Sequence, residues 1–168
     1  MNVPDRQTRG LSMKRAMLAM LVLITALLAA AGAGAQQLSD PGDPAENAAA
    51  SKVATRFLQQ VDAGKVAGTW ALTGPYLHGL TDSAGWTKLH TDLRASSGAL
   101  KSRKLEGAVF AKELEGAPKG HYFVVFFTSR FANFTAEEKV ALNLVGKVWR
   151  IEGYYLTKEP APGQPESK

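Results

Sequence analysis

An α+β domain, helices first and sheet second, is the fold class this sequence predicts, and three observations predict it. Apolar residues between Asp43 and Gly98 recur at spacings of three and four, the helical period. From Leu100 to Leu156 the period changes to two, as in strands with a buried face. The strand-like runs are joined by connections of hairpin length, which makes the sheet antiparallel. The expected architecture is three N-terminal helices packed on a curved four-stranded antiparallel sheet.

The helices come first. Asp43-Pro44-Ala45-Glu46 is a start signal: Asp43 suits the cap, Pro44 the first helical position, and Glu46 the capping-box position. Val53, Phe57 and Val61 follow at four-residue spacing, with Ala50, Ala54 and Leu58 beside them, and Gly64 supplies a left-handed stop. A shorter helix runs from Lys65 to about Leu72, carrying Val66 and Trp70, and Gly74-Pro75 ends it. Thr81 or Asp82 caps a third, on which Trp86, Leu89 and Leu93 share a face and His90 and Arg94 form a polar one; Gly98 closes it.

Four strands follow. Leu100 to Glu113 is a long first strand with Gly107 as a bulge site. Lys101, Arg103 and Lys104 read as a solvated strand edge that blocks edge-to-edge pairing. Residues 115–120 form a turn cluster. His121 to Phe131 is apolar on both faces, because Tyr122, Val124 and Phe126 alternate with Phe123, Val125 and Phe127; such a strand is central in its sheet. Val140, Leu142 and Leu144 mark a third strand, Gly146-Lys147 a turn, and Val148 to Leu156 a fourth.

The start of the chain reads as an export signal. Lys14 and Arg15 precede an apolar run from Ala16 to Ala31, and Ala33 and Ala35 make an Ala-x-Ala exit. Cleavage is expected after Ala35 by a Sec-type route, giving a periplasmic or secreted protein with no membrane attachment afterwards. Met13-Lys14-Arg15 is itself an ordinary signal start, so translation from Met1 or from Met13 fits the pattern, and Met1–Ser12 would then be a misassigned leader. The expected organisation is a signal at 1–35, a linker at 36–42, one α+β domain at 43–158 and a Pro-rich disordered tail at 159–168.

Composition narrows the function. The 168 residues include no cysteine, which excludes a disulfide scaffold, a thiolate metal site and a catalytic thiol. The formal charge is +5, from 20 Lys and Arg against 15 Asp and Glu. Residues 1–35 hold four of those basic residues and one acidic residue, leaving 16 against 14, or +2. With no clustered basic face, nucleic acid is not an expected partner. The three histidines, His78, His90 and His121, show no metal-ligand spacing, so no metal and no cofactor is expected. No nucleophile elbow or phosphate-binding glycine loop is present.

One enzymatic arrangement survives. A carboxylate base and a tyrosine oxyanion donor can share an apolar pocket, as in ketosteroid isomerase. Asp62, Asp82, Asp92 and Glu152 are the candidate bases; Tyr76, Tyr122, Tyr154 and Tyr155 are the candidate donors. Against it, Asp62 suits a local role at a helix end, and Glu152 and Arg150 share a strand face expected to lie in solvent.

The order and spacing of several segments resemble a known family. Ala63-Gly64, Trp70, Trp86, Arg94 and Gly98 precede Ser102-Arg103-Lys104-Leu105; Gly116-Ala117-Pro118-Lys119-Gly120-His121-Tyr122 leads into Val124-Val125; Trp149-Arg150-Ile151-Glu152-Gly153-Tyr154-Tyr155 closes the series. Over about residues 48–158 the chain resembles the bacterial domain-of-unknown-function family 4019, small exported proteins. It departs from that pattern at Gly146-Lys147-Val148-Trp149, one residue longer than the usual Gly-x-Trp, and at Val145, usually acidic. The resemblance brings no catalytic residue with it. By fold analogy the layout is that of the cone-shaped nuclear-transport-factor-2-like (NTF2-like) and cystatin-like folds.

The resulting expectation is an exported, non-enzymatic binding or interaction domain. Its pocket or sheet face would take a small apolar ligand or a protein partner, a homodimer included, and Trp70, Trp86, Tyr122, Phe126 and Tyr155 are the candidate pocket residues. The alternative is a small isomerase or lyase working in the same pocket.

Overall fold

The computed structural model describes residues 40–159. The expected signal segment, the linker up to residue 39 and the tail from residue 160 lie outside the described residues.

Helix α1 is Pro44–Asp62. Asp43 caps it as expected, its Oδ1 accepting the N–H groups of Ala45 and Glu46, both at 2.9 Å. Glu46 does not reach back to close a capping box; its Oε2 lies 2.6 Å from His121 Nε2 across the helix–sheet gap. Asp43→Ala should cost about 1 kcal/mol. A urea denaturation midpoint that does not move would show that the cap contributes nothing.

The second predicted helix is two pieces, α2 at Val66–Thr69 and a 3₁₀ turn at Trp70–Leu72. The hydroxyls of Thr69 and Thr73 donate back to the carbonyls of Val66 and Trp70, both at 2.6 Å, which tightens the backbone locally. The sequence reading missed α3, Pro75–Leu80. Gly74-Pro75 does end one helix, but Pro75 is also the first residue of the next. Helix α4 is Ser83–Ser97, and of its two candidate caps Asp82 serves, accepting Gly85 N–H at 2.7 Å.

Four strands complete the domain: β1 (Leu100–Ala111), β2 (Tyr122–Phe131), β3 (Thr135–Val145) and β4 (Val148–Lys158). They pair antiparallel in the order β1-β2-β3-β4, so β2 is interior, as its two apolar faces required. β1 bulges between Leu105 and Gly107, at the expected glycine. A second bulge, between the Ala141 and Leu142 pairings, leaves Glu152 as the extra residue on β4.

Helix α1 lies against all four strands. The core between them holds Phe57, Leu58, Val61, Trp86, Val125, Phe127, Val140, Leu142 and Ile151. On α4 the inward face differs from the expected one. Leu89 is 47% exposed, whereas His90 is fully buried beside Trp86. Residues four apart lie on one helical face, so Trp86, His90 and Arg94 turn inward together and Leu89 turns out.

Candidate functional site

The helix–sheet seam holds a buried polar network where the sequence reading expected solvent-facing residues. Arg94 on α4 and Arg103 on β1 each contact two carboxylates, Asp62 at the end of α1 and Glu138 on β3. Arg94 Nη2 is 2.9 Å from Glu138 Oε1, and Arg103 Nη2 is 2.6 Å from Glu138 Oε2. Arg103 also donates to Asp62. Arg94 Nε is 2.9 Å from Asp62 Oδ1, close enough for an ion pair although its N–H points off the oxygen. Glu138 is fully buried and accepts further bonds from Ser129 and, at 2.5 Å, from the Tyr154 hydroxyl. That hydroxyl in turn accepts from Arg94 Nη1 at 3.0 Å. Two cations and two anions close a neutral square.

The electrostatics follow from this geometry. Burial alone would raise the pKa of Glu138, but Arg103, Arg94 and the Ser129 and Tyr154 hydroxyls hold it below the usual carboxylate range. Burial, then the neighbouring Glu138 charge, push the Tyr154 phenol far above its ordinary value. Tyr154 is therefore a fixed donor at neutral pH.

His90 sits against this square with no partner for either ring nitrogen. Its surroundings are rings: Trp86 with centroids 4.1 Å apart, Tyr154 at 4.8 Å and Phe57 at 5.4 Å. Burial, and then Arg94, lower its pKa to about 3, so it is neutral at neutral pH.

The candidate bases are otherwise engaged. Asp82 caps α4. Asp92 pairs with Lys88 at 2.6 Å on the exposed side of the same helix. Asp62 belongs to the square. Glu152 corrects the expectation of a solvated strand face: the β4 bulge turns it toward α3, where Oε2 accepts Leu77 N–H at 3.0 Å, and it is 4% exposed. A Cβ on Gly74 would fall 2.1 Å from its Oε1, so only glycine fits before α3 while the carboxylate is there. Burial raises the pKa of Glu152. Gly74→Ala should expel the carboxylate and cost about 1–3 kcal/mol, the range for a lost buried hydrogen bond. An unchanged denaturation midpoint would contradict the tight approach.

Arg103 is a second correction. It is not on a solvated edge, because its side chain points into the square and is 10% exposed. Among the described residues, no three His, Asp or Glu side chains converge on a metal-sized point.

The five candidate pocket residues separate into two groups. Trp86 is core, with its indole N–H donating to Thr69 Oγ1 at 2.9 Å. Trp70 is half-buried, stacked 4.4 Å from His78, and lines a shallow, open depression of about 650 Å³ beside α4. Tyr122, Phe126 and Tyr155 project from the opposite side of the sheet, since the intervening residues Phe123, Val125 and Phe127 fill the helix-facing side. Tyr122 is nevertheless buried. The β1–β2 connection folds over it, pinned where Tyr122 donates to Pro118 O and Tyr76 to Gly116 O, both at 2.7 Å.

Beyond that end, two rows of cross-strand neighbours lie on the outer face. One runs Val109, Val124, Ala141 and Gly153; the other runs Gly107, Phe126, Lys139 and Tyr155. Lys139 Nζ lies 5.6 Å from the Phe126 ring centroid, its stem adding to the apolar surface. The Tyr155 ring lies over Gly153 and is itself 42% exposed.

Fold and site together define a class: an α+β domain whose helices are tied to a meander sheet by buried ion pairs. The chain belongs to the family described as protein of unknown function (DUF4019), whose model matches residues 53–154. That span contains His90 and every member of the ion-pair network. No curated protein and no solved structure matches the chain.

Proposed function

We propose that this is an exported, non-enzymatic interaction domain that binds through the outer face of its sheet. The observation that carries the reading is an apolar strip on the outer face, with Val109, Val124 and Phe126 half-buried and Tyr155 exposed. A contiguous apolar surface of this kind marks an interaction site more often than a bare surface. Helices on one side of an antiparallel sheet also support an NTF2-like or cystatin-like arrangement, in which the outer face is the free one.

This reading stands ahead of an isomerase or lyase. A proton-abstracting carboxylate must reach substrate. Asp62 is committed to two guanidiniums, Asp82 to a helix cap, Asp92 to Lys88 on an exposed helix face, and Glu152 is closed under α3. Export rests on the Lys14-Arg15, apolar-run and Ala-x-Ala pattern. Mass spectrometry of the exported protein should find Gln36 at its start.

Incorporating a photo-crosslinking amino acid at Phe126 tests the face in living cells. A covalent adduct from position 126, with none from Leu89 on the exposed side of α4, is the expected result. No adduct at 126 would remove the sheet face as the binding surface.

A further inference from the structure

We infer that helix α4 is a proton-operated latch: a proton taken up by His90 releases this helix from the sheet while α1 and the four strands stay together. The inference goes beyond the interaction reading above and does not rest on it.

The attachment of α4 is the first argument. Of its 15 residues, Trp86, His90 and Ser97 are buried. Trp86, His90 and Arg94 recur at intervals of four, so one stripe of side chains grips the seam, with His90 as its middle member. Lys88, Leu89 and Asp92 face outward. Helix α1 is held differently: it buries Ala50, Ser51, Ala54, Phe57, Leu58 and Val61 and lies against all four strands. The backbone of α4 instead runs beside α2 and the 3₁₀ turn. A segment with few buried apolar side chains opens at a lower free energy than the core beneath it.

The ion-pair square has the connectivity a latch requires. Arg94 is the member that α4 contributes, whereas Arg103 on β1 contacts both Asp62 on α1 and Glu138 on β3. When α4 leaves, Arg103 still bridges α1 to the sheet and keeps both carboxylates partnered.

His90 supplies the trigger. Its ring is fully buried and neither nitrogen has a partner. The groups that face it are Phe57 on α1, Trp86 and Arg94 on α4, Glu138 on β3 and Tyr154 on β4. The one anion among them, Glu138, is already engaged by both guanidiniums, Ser129 and Tyr154. An imidazolium here would be a buried cation beside the Arg94 guanidinium, with no hydrogen bond to offset the lost water. Moving α4 outward hydrates both cations. The other two histidines have partners: His78 Nε2 lies 2.7 Å from Thr73 Oγ1, and His121 Nε2 lies 2.6 Å from Glu46 Oε2. A proton on His121 meets a carboxylate of α1, on the side that the latch leaves closed.

Hydrogen exchange of the protein recovered from cells expressing the full coding sequence is the test, read by mass spectrometry at pH 7 and pH 5 and corrected for the intrinsic rate. Released α4 takes up its proton below about pH 6.5 and closed α4 only near pH 3, so its open population should rise about 25-fold between pH 7 and pH 5. Peptides from 83–97 should lose protection by that factor, and at pH 5 they should exchange while α1 and β2 peptides stay protected. His90→Leu and His90→Met should each abolish the loss, and His121→Gln should keep it. Equal protection of α4 and β2 at pH 5 means that helix and sheet part only together, and it overturns the latch. So does protection of α4 that is the same at both pH values, or a loss that persists in both His90 variants or disappears in His121→Gln.

Discussion

Glu138→Leu will destabilise the fold by about 3–5 kcal/mol, the cost of removing one partner from a buried ion pair. Against a typical total of about 5–15 kcal/mol, that is a large share. The cost does not come from lost packing. Removing the carboxylate leaves Arg94 and Arg103 facing one another with Asp62 as their remaining anion, and it orphans the donors of Ser129 and Tyr154. Urea denaturation of the single variant measures it. The double variant Arg103→Met with Glu138→Leu should lose less than the sum of its two parts, because it deletes both a charge and its counter-charge. The exposed Lys88–Asp92 pair provides the contrast, its side chains being 70% and 62% exposed, and its removal should cost under about 0.5 kcal/mol. If Glu138→Leu costs no more than that surface pair, the square is not closed in solution.

The square also shows where sequence reading succeeds and where it stops. Signals contained within a few residues were legible. Asp43-Pro44 starts α1, Gly64 and Gly98 sit with positive φ just beyond their helices, Gly107 marks a bulge, and Gly146 turns β3 into β4. The alternation of Tyr122 to Phe127 put β2 in the sheet interior. Gly74-Pro75 was ambiguous because the same pair ends one helix and begins another. Glu152 was misread because strict alternation puts it in solvent, and the bulge that turns it inward depends on how β3 and β4 are registered.

The network's members come from six elements. Glu138 meets Arg94 across 44 residues and Arg103 across 35, distances at which no local pattern operates. One signal was present. Glu138 has the same strand parity as Val140 and Leu142, and His90 and Arg94 follow Trp86 at intervals of four. Charged and polar groups at core positions on separate elements have to find one another, since isolated burial is prohibitive. The candidate pocket failed to assemble for a related reason. Trp86 and Tyr122 are both buried aromatics, but a sheet one layer thick stands between them, and only the pairing register tells which side each strand residue takes.

Acidification will destabilise the protein before its carboxylates titrate, and His90 is the cause. The unfolded chain binds a proton at His90 below about pH 6.5. The folded chain does not until about pH 3, because burial and then Arg94 oppose the charge, with Glu138 pulling weakly the other way. The groups facing the ring from neighbouring elements are Phe57 on α1, Trp86 and Arg94 on α4, Glu138 on β3 and Tyr154 on β4; none of them accepts a bond from it. The unfolded state therefore holds more protons between those two values, and stability falls as pH falls, by about 1.4 kcal/mol per unit. From neutral pH to about pH 4.5 the loss is about 3 kcal/mol. Glu138 acts in the same direction but lower down. Its depressed pKa contributes stability that is present above the ordinary carboxylate range and is lost as pH falls through the lowered value. Between about pH 6.5 and 4.5 Glu152 acts in the opposite sense, because burial raises its pKa and the folded chain takes up its proton first, so the histidine is read from the difference between wild type and a variant without it. His90→Leu, close in volume and without the two unpartnered nitrogens, should hold or raise stability at neutral pH and remove the fall in stability that wild type shows through that interval. Urea midpoints for wild type and variant across the series decide it: parallel profiles would mean that His90 is solvated or partnered in the folded protein, and the packing described around it would be wrong.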